Sequence, residues 1–229
     1  MGERIGLFPL ETVLYPGLVL PLHVFEPRYR ALVADLVAPP EGVPRRFGVV
    51  AIRDGSEVGP GAARSLYSVG CTAELRSVTA HPDGRFDIVT NGAHRFRVIR
   101  IQDPGPASAG GYLQAEIDQL ADVVDQESLA LDPVVRADFA AYQEALAQAT
   151  GGPGATDPST LPTSPVILSY LVSAALVATL PDKQRLLEAP GTGDRLHLAH
   201  RLLRVETRLI TATGTLPGVD LLHPATSPN

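Results

Sequence analysis

Few residues in this 229-residue chain combine the type and spacing that chemistry demands. His197 and His200 stand three apart, which on a helix puts both imidazoles on one side, where they could hold a metal ion. No third ligand follows at a recognisable spacing, and Arg201 and Arg204 beside them repel a cation, so the pair reads as a solvated basic face. Cys71 is the only cysteine. It can form neither an internal disulfide nor a Cys-x-x-Cys zinc pair, and its alternation with inward residues makes it an inert buried thiol. Glu11 and the pair Asp54/Glu57 lack a histidine partner and read as surface charge. Lys183 is the only lysine, against eighteen arginines. It sits in "LPDKQRLLE" with no glycine loop before it and Gln184 after it, so it builds no phosphate-cradling G-x-x-x-x-G-K-[ST] loop. No catalytic residue, metal site or cofactor is expected.

Other residues have the chemistry of recognition. Glu26, Arg28 and Arg95 are charges set inside apolar or turn motifs. They could form a polar patch that contacts a bound chain, but the favoured reading is a Glu–Arg pair tying the first helix to the barrel, since buried charges need partners. Arg95 and Arg97 share one face of their strand, with Arg100 on the other, as an RNA-binding surface would require. Glu116 and Asp118 on a neighbouring strand can compensate them, and no aromatic ladder accompanies them for base stacking. Phe8, Leu10, Tyr15, Leu18, Leu22 and Phe25 are core by default, and those that reach the surface could line an apolar docking groove.

Composition narrows the class. Apolar residues make up 45% and charged ones 19%, the balance of a globular chain. A net charge of −6 argues against a dedicated nucleic-acid binder. The start, "MGERIGLFPLETV", breaks any apolar leader core with Glu11 and prolines. The longest apolar run, Val166 to Leu180, falls short of the roughly 20 residues that span a bilayer. These features predict a soluble cytoplasmic protein with no membrane partner.

The elements that must position the recognition residues come in two blocks. Up to about residue 120 the pattern is β. Strands are expected at Leu18 to Phe25 and Arg46 to Arg53, around Cys71 to Arg76, at Phe86 to Thr90, in "HRFRVIRI" after a turn at Asn91-Gly92, and at Leu113 to Asp118 beyond a loop from Asp103 to Gly111. "HPDG", His81 to Gly84, is a turn in which proline presets φ and Asp-Gly tolerates left-handed geometry. About six strands at this spacing suggest a barrel or closed sheet. One short helix, "PRYRALVADLV", interrupts them, with Glu26 and Pro27 at its N-terminus. From about Ala121 the pattern turns helical. Asp132-Pro133 is expected to open a helix that stops before Gly151-Gly152. Ser164-Pro165 starts another, apolar nearly all round to Leu180, and Pro181-Asp182 begins a short one. The last runs from about Asp194 to Thr213. Its Leu198, Leu202, Val205 and Leu209 form one stripe and Leu196, Leu203 and Ile210 a second.

Three stretches carry a family resemblance. "FPLETVLYPGLVLPLHVFEPRYRALV" packs prolines among apolar residues in a way ordinary core strands do not, because proline is confined to strand edges, ends and bulges. "VGCTAELRSVTAHPDGRFDIVTNGAHRFRV" and "LPDKQRLLEAPGTGDRLHLAHRLLRVE" follow in order. Together they resemble the N-terminal, substrate-recognition domain of the Lon proteases, and cover nearly the whole chain. The resemblance implies an α+β fold: a PUA-like six-stranded β-barrel with one short helix at residues 1–120, a C-terminal α-helical bundle at 121–213 and a flexible tail at 214–229. The chain ends at Asn229, where a full Lon protease would continue into an ATPase and a Ser-Lys peptidase, so a stand-alone copy is expected. With Lys183 in the helical motif, no lysine remains to serve a nucleophilic serine.

The implied function is non-catalytic recognition of unfolded or specific polypeptide segments, as an adaptor or regulator in protein quality control, with a Lon-type protease as a candidate partner. Phe8, Leu10, Tyr15, Leu22, Phe25, Glu26, Arg28 and Arg95 are the expected binding residues. The alternative is a PUA-like barrel that binds RNA or a small ligand, with nucleic acid the weaker expectation.

Overall fold

The computed structural model describes residues 3–40, 42–55, 63–102 and 111–214. Glu57, most of the loop from Asp103 and the tail from residue 215 lie outside the described residues. Contact density divides the chain into two compact units that meet in sequence between Ala121 and Asp122. The fold is α+β: a mixed six-stranded sheet and, among the described residues, five α-helices.

The N-terminal unit holds β1 (Glu3–Leu10), β2 (Val19–Val24), α1 (Pro27–Val37), β3 (Arg46–Gly55), β4 (Ala63–Ala80), β5 (Phe86–Gln102) and β6 (Gln114–Leu120). The strand order is β2-β5-β4-β3-β1-β6, and β6 pairs again with β5. Hydrogen bonding therefore passes from β5 through β4, β3, β1 and β6 and returns to β5, and among the described residues β2 pairs with β5 alone. β1 runs parallel to β3 and is buried on both faces. Its Leu7 joins an apolar cluster with Val50, Phe96 and Ile117, while Phe8 and Leu10 join a second with Leu22, Val24, Val33 and Phe47. Burial on both faces explains why "GLFPL" is an apolar run without alternation.

Sequence patterning missed β1 and split β5. Asn91-Gly92 is not a turn: β5 runs through it, pairing with β2 before it and with β6 from Arg95 onward. The ladder to β4 slips there, from Ala73 opposite Gly92 to Cys71 opposite Arg95. Such a bulge bends a strand. Thr72 satisfies the displaced backbone, its hydroxyl accepting from the His94 N–H at 3.0 Å and donating to the His94 carbonyl at 3.2 Å. Gly92 permits the bend because a Cβ there would lie 2.2 Å from the Tyr15 carbonyl oxygen. The expected strand count of six thus stands with different members.

The C-terminal unit holds α2 (Gln126–Thr150), a 3-10 turn at Pro158–Thr160, α3 (Pro165–Ala175), α4 (Leu180–Glu188) and α5 (Thr192–Thr213). α2 begins earlier than Asp132-Pro133 implies. Asp125 caps it by accepting from the Ser128 N–H at 2.7 Å, and Pro133 lies inside the helix. Asp132 instead binds Arg136 one turn on, at 2.6 Å. α3 stops at Ala175, short of Leu180, and Thr179 then caps α4. In α5 the stripe Leu196, Leu203, Ile210 is core, whereas Val205 and Leu209 are exposed.

A buried ionic network ties α3 and α5 to the start of this unit. Arg195 is fully buried, donating from Nη2 to Asp122 Oδ1 and from Nε to Ser169 Oγ, both at 2.9 Å. Its guanidinium carbon lies 3.9 Å from the Tyr170 ring centroid, and the Tyr170 hydroxyl donates to the same carboxylate at 2.6 Å.

Candidate functional site

The expected binding residues divide by depth. Phe8, Leu10, Tyr15 and Leu22 are buried, Phe8 stacking on Tyr29 of α1 with centroids 4.0 Å apart. Arg95 is 1% exposed and donates to the Ala121 carbonyl at 3.3 Å. Phe25, Glu26 and Arg28 are half-buried at the junction of β2 and α1. There Glu26 and Arg28 form an ion pair at 2.9 Å, and the Arg28 guanidinium lies 4.5 Å from the Tyr29 ring centroid. Glu26 occupies the N-cap position without a side-chain capping bond, one of its carboxylate oxygens facing Arg28.

Register brings a polar cluster to the same end of the sheet. His23 on β2 lies directly opposite Asp87 on β5, and Asp87 is in turn opposite Thr79 on β4. Directly opposed residues project from the same face. The chain then turns through His81-Pro82-Asp83-Gly84. Gly84 donates to the His81 carbonyl at 2.9 Å and takes φ +81°, a conformation that favours glycine. A Cβ on Gly84 would strike the Arg30 guanidinium of α1, which lies against it.

The Asp87 carboxylate accepts from His23 Nδ1 through one oxygen and from His81 Nε2 through the other, each at 2.6 Å. These two hydrogen bonds, His23 first, hold its carboxyl below the usual carboxylate range. Arg85 binds Asp83 at 2.6 Å, and its Nη1 lies 3.4 Å from His23 Nε2. The Phe25 ring lies 6.3 Å from the His23 ring. Sequence reasoning singled out Phe25, Glu26 and the HPDG turn but not His23, His81 or Asp87. The alternation of β2 against β5 was the available signal, and it works only once the register is known.

Elsewhere the candidate groups do not converge. His200 binds Asp138, while His197 lines a depression of about 470 Å³ with Glu127, Arg185, Glu188, Asp194 and Arg201, a mixture of charges. Arg97 is opposite Asp118, and Arg100 opposite Glu116 at 3.7 Å, so these two arginines face counter-charges on β6. Cys71 is fully buried. No helix among the described residues is long and apolar enough to cross a membrane.

Comparison with known proteins places this geometry. The model of the ATP-dependent protease La (LON) substrate-binding domain matches residues 4–205. Lon protease 2 of Syntrophobacter fumaroxidans is 30% identical over 84% of this chain and 23% of its own length. Lon protease 2 of Myxococcus xanthus is 28% identical over 91% of this chain and 24% of its own. The chain thus spans about a quarter of the curated relatives it matches. Among solved structures, a Lon N-terminal domain protein from Xanthomonas campestris shares the fold at TM-score 0.57 and 24% identity, over 85% of this chain and 95% of that one. The N-terminal domain of the Mycobacterium avium complex Lon protease does so at TM-score 0.63 and 19% identity, over 88% and 98%. With the family model covering most of its length, the chain belongs to the Lon substrate-binding domain family.

Proposed function

We propose that the N-terminal unit binds extended polypeptide segments without catalysing a reaction on them, and that the chain acts in protein quality control as a cytoplasmic adaptor or regulator. The observation that carries this reading is the edge of β2. Every other strand has a neighbour on each side, whereas β2 pairs only with β5 among the described residues. A strand with one edge unpaired is a template for a further strand, with main-chain hydrogen bonds giving affinity and alternate side chains giving specificity. Val19 stands 63% exposed on that strand, and Phe25, Glu26 and Arg28 follow at its end. Phe8, Leu10, Tyr15, Leu22 and Arg95 are buried and would act on binding only indirectly.

The family's name supports the same reading, since it describes the substrate-binding part of a protease. We read the return of the β6 pairing to β5 as closure of a PUA-like barrel, and the helices from Asp122 as a bundle. A Lon-type protease is the partner this role suggests.

Fluorescence anisotropy of a labelled, permanently unfolded polypeptide, with single-stranded RNA in parallel across a salt series, tests the proposal. Saturable, weakly salt-dependent binding to the polypeptide is expected. Binding to RNA alone, collapsing with salt as counterions are released, contradicts it, as does silence from both.

A further inference from the structure

We infer that His23, His81 and Asp87 form a surface site for a first-row transition-metal ion of the zinc type. One ligand atom from each of His23, His81 and Asp87 lies within 4.8 Å of the other two, and His23 Nδ1 and His81 Nε2 are the nitrogens that face the carboxylate. Around a tetrahedral ion with bonds of about 2.1 Å, ligand atoms sit roughly 3.4 Å apart. The two imidazole nitrogens now lie 2.6 Å from the carboxylate, so each must draw back from it by less than about 1 Å. Side-chain exposures of 39%, 33% and 51% give them that freedom.

The backbone beneath them is fixed. His23 and Asp87 are a cross-strand pair, and His81 is held by its N–H donating to the Arg85 carbonyl at 2.8 Å. Two imidazoles with one carboxylate select zinc, cobalt, nickel or copper over calcium or magnesium, which demand oxygen. Asp87 supplies one negative charge. Arg85, whose Nη1 lies 3.4 Å from His23 Nε2, is already paired with Asp83 and is exposed, so it can turn away from His23. On binding, each neutral imidazole presents its lone pair to the ion and carries its proton on the outer nitrogen. Three protein ligands leave a position open to water or to a donor from a bound chain. The ion would join β2, the strand with the unpaired edge, to the β4–β5 turn. This inference stands on the ligand geometry and not on the polypeptide-binding proposal.

The test is titration of the full, untagged and metal-stripped chain with zinc by calorimetry, and with cobalt by visible absorption. One ion per chain is expected. His81→Ala and Asp87→Asn should each weaken binding at least about tenfold, because even residues that only support metal ligands cost 10–100-fold when changed. His197→Ala serves as the control and should change nothing. Asp87→Asn keeps the side chain's shape, so its effect separates lost ligation from lost folding. No binding at either metal, or binding that survives His81→Ala or Asp87→Asn, overturns the assignment.

Discussion

Arg195 offers the sharpest test of how the C-terminal unit is held together. Arg195→Met keeps the volume and removes the charge. Asp122 then loses its Arg195 partner and keeps the Tyr170 hydroxyl, while Ser169 loses a donor and Tyr170 its cation. Breaking a buried ion pair from one side costs about 3–5 kcal/mol, and a desolvated cation–π contact adds up to about 2 kcal/mol without strict additivity. The Asp122 side chain is 20% exposed and can rehydrate, so the loss should fall near 3 kcal/mol. Asp122→Ala should cost more, about 4–5 kcal/mol, because it removes the carboxylate from a guanidinium with no exposure. Against a domain stability of roughly 5–15 kcal/mol, either change is large. Urea melts followed by helical circular dichroism, on both single variants and the double, provide the measurement. The double should cost less than the sum by about 1–3 kcal/mol. A loss below about 1 kcal/mol for Arg195→Met, or full additivity, would refute the network's role.

Two further predictions concern other sites. Gly92→Ala places a Cβ 2.2 Å from the Tyr15 carbonyl and must displace backbone, so denaturant melts should show a loss of about 3 kcal/mol. Glu206 has a carboxyl raised above its ordinary value, first by burial and then by the Asp182 charge, and its Oε2 is buried without a hydrogen bond. Its proton is therefore held more tightly in the folded state. Stability is lost as pH rises from the ordinary glutamate value, roughly 4.3, through the raised one. Glu206→Gln should then raise the melting temperature at pH 7 and leave it unchanged at pH 3, where both states are protonated. An equal shift at both pH values would contradict this.

The fold was legible where proline, glycine and periodicity agree. The HPDG turn, the start of α1 at Pro27 and the stripe Leu196, Leu203, Ile210 were all readable from local chemistry. β1 was not, because burial on both faces erases the alternation that marks a strand, and Pro9 argued against one. Asn91-Gly92 carries a turn signal, but here the glycine admits a passing carbonyl and bends one long strand. Asp132-Pro133 imitates a helix start, yet the capping bonds form at Asp125. The polar cluster was the least legible feature. His81 and Asp87 flank one turn, but His23 lies 64 residues from Asp87 and meets it only through the β2–β5 register. Burial also could not be read for charged residues: Arg95 and Arg97 share a strand face, but the first is buried and the second exposed.

The central claim, that an unfolded chain docks on the edge of β2, is tested most directly by comparing the native protein with Val19→Lys in the unfolded-polypeptide binding assay. Val19 is exposed, so the change leaves the core intact, and a charge on an edge strand opposes pairing. The account predicts saturable binding by the native chain, at least about tenfold weaker in the variant with its melting temperature unchanged, the equivalent of roughly 1.4 kcal/mol. Equal affinity of the two proteins for the unfolded chain would contradict it.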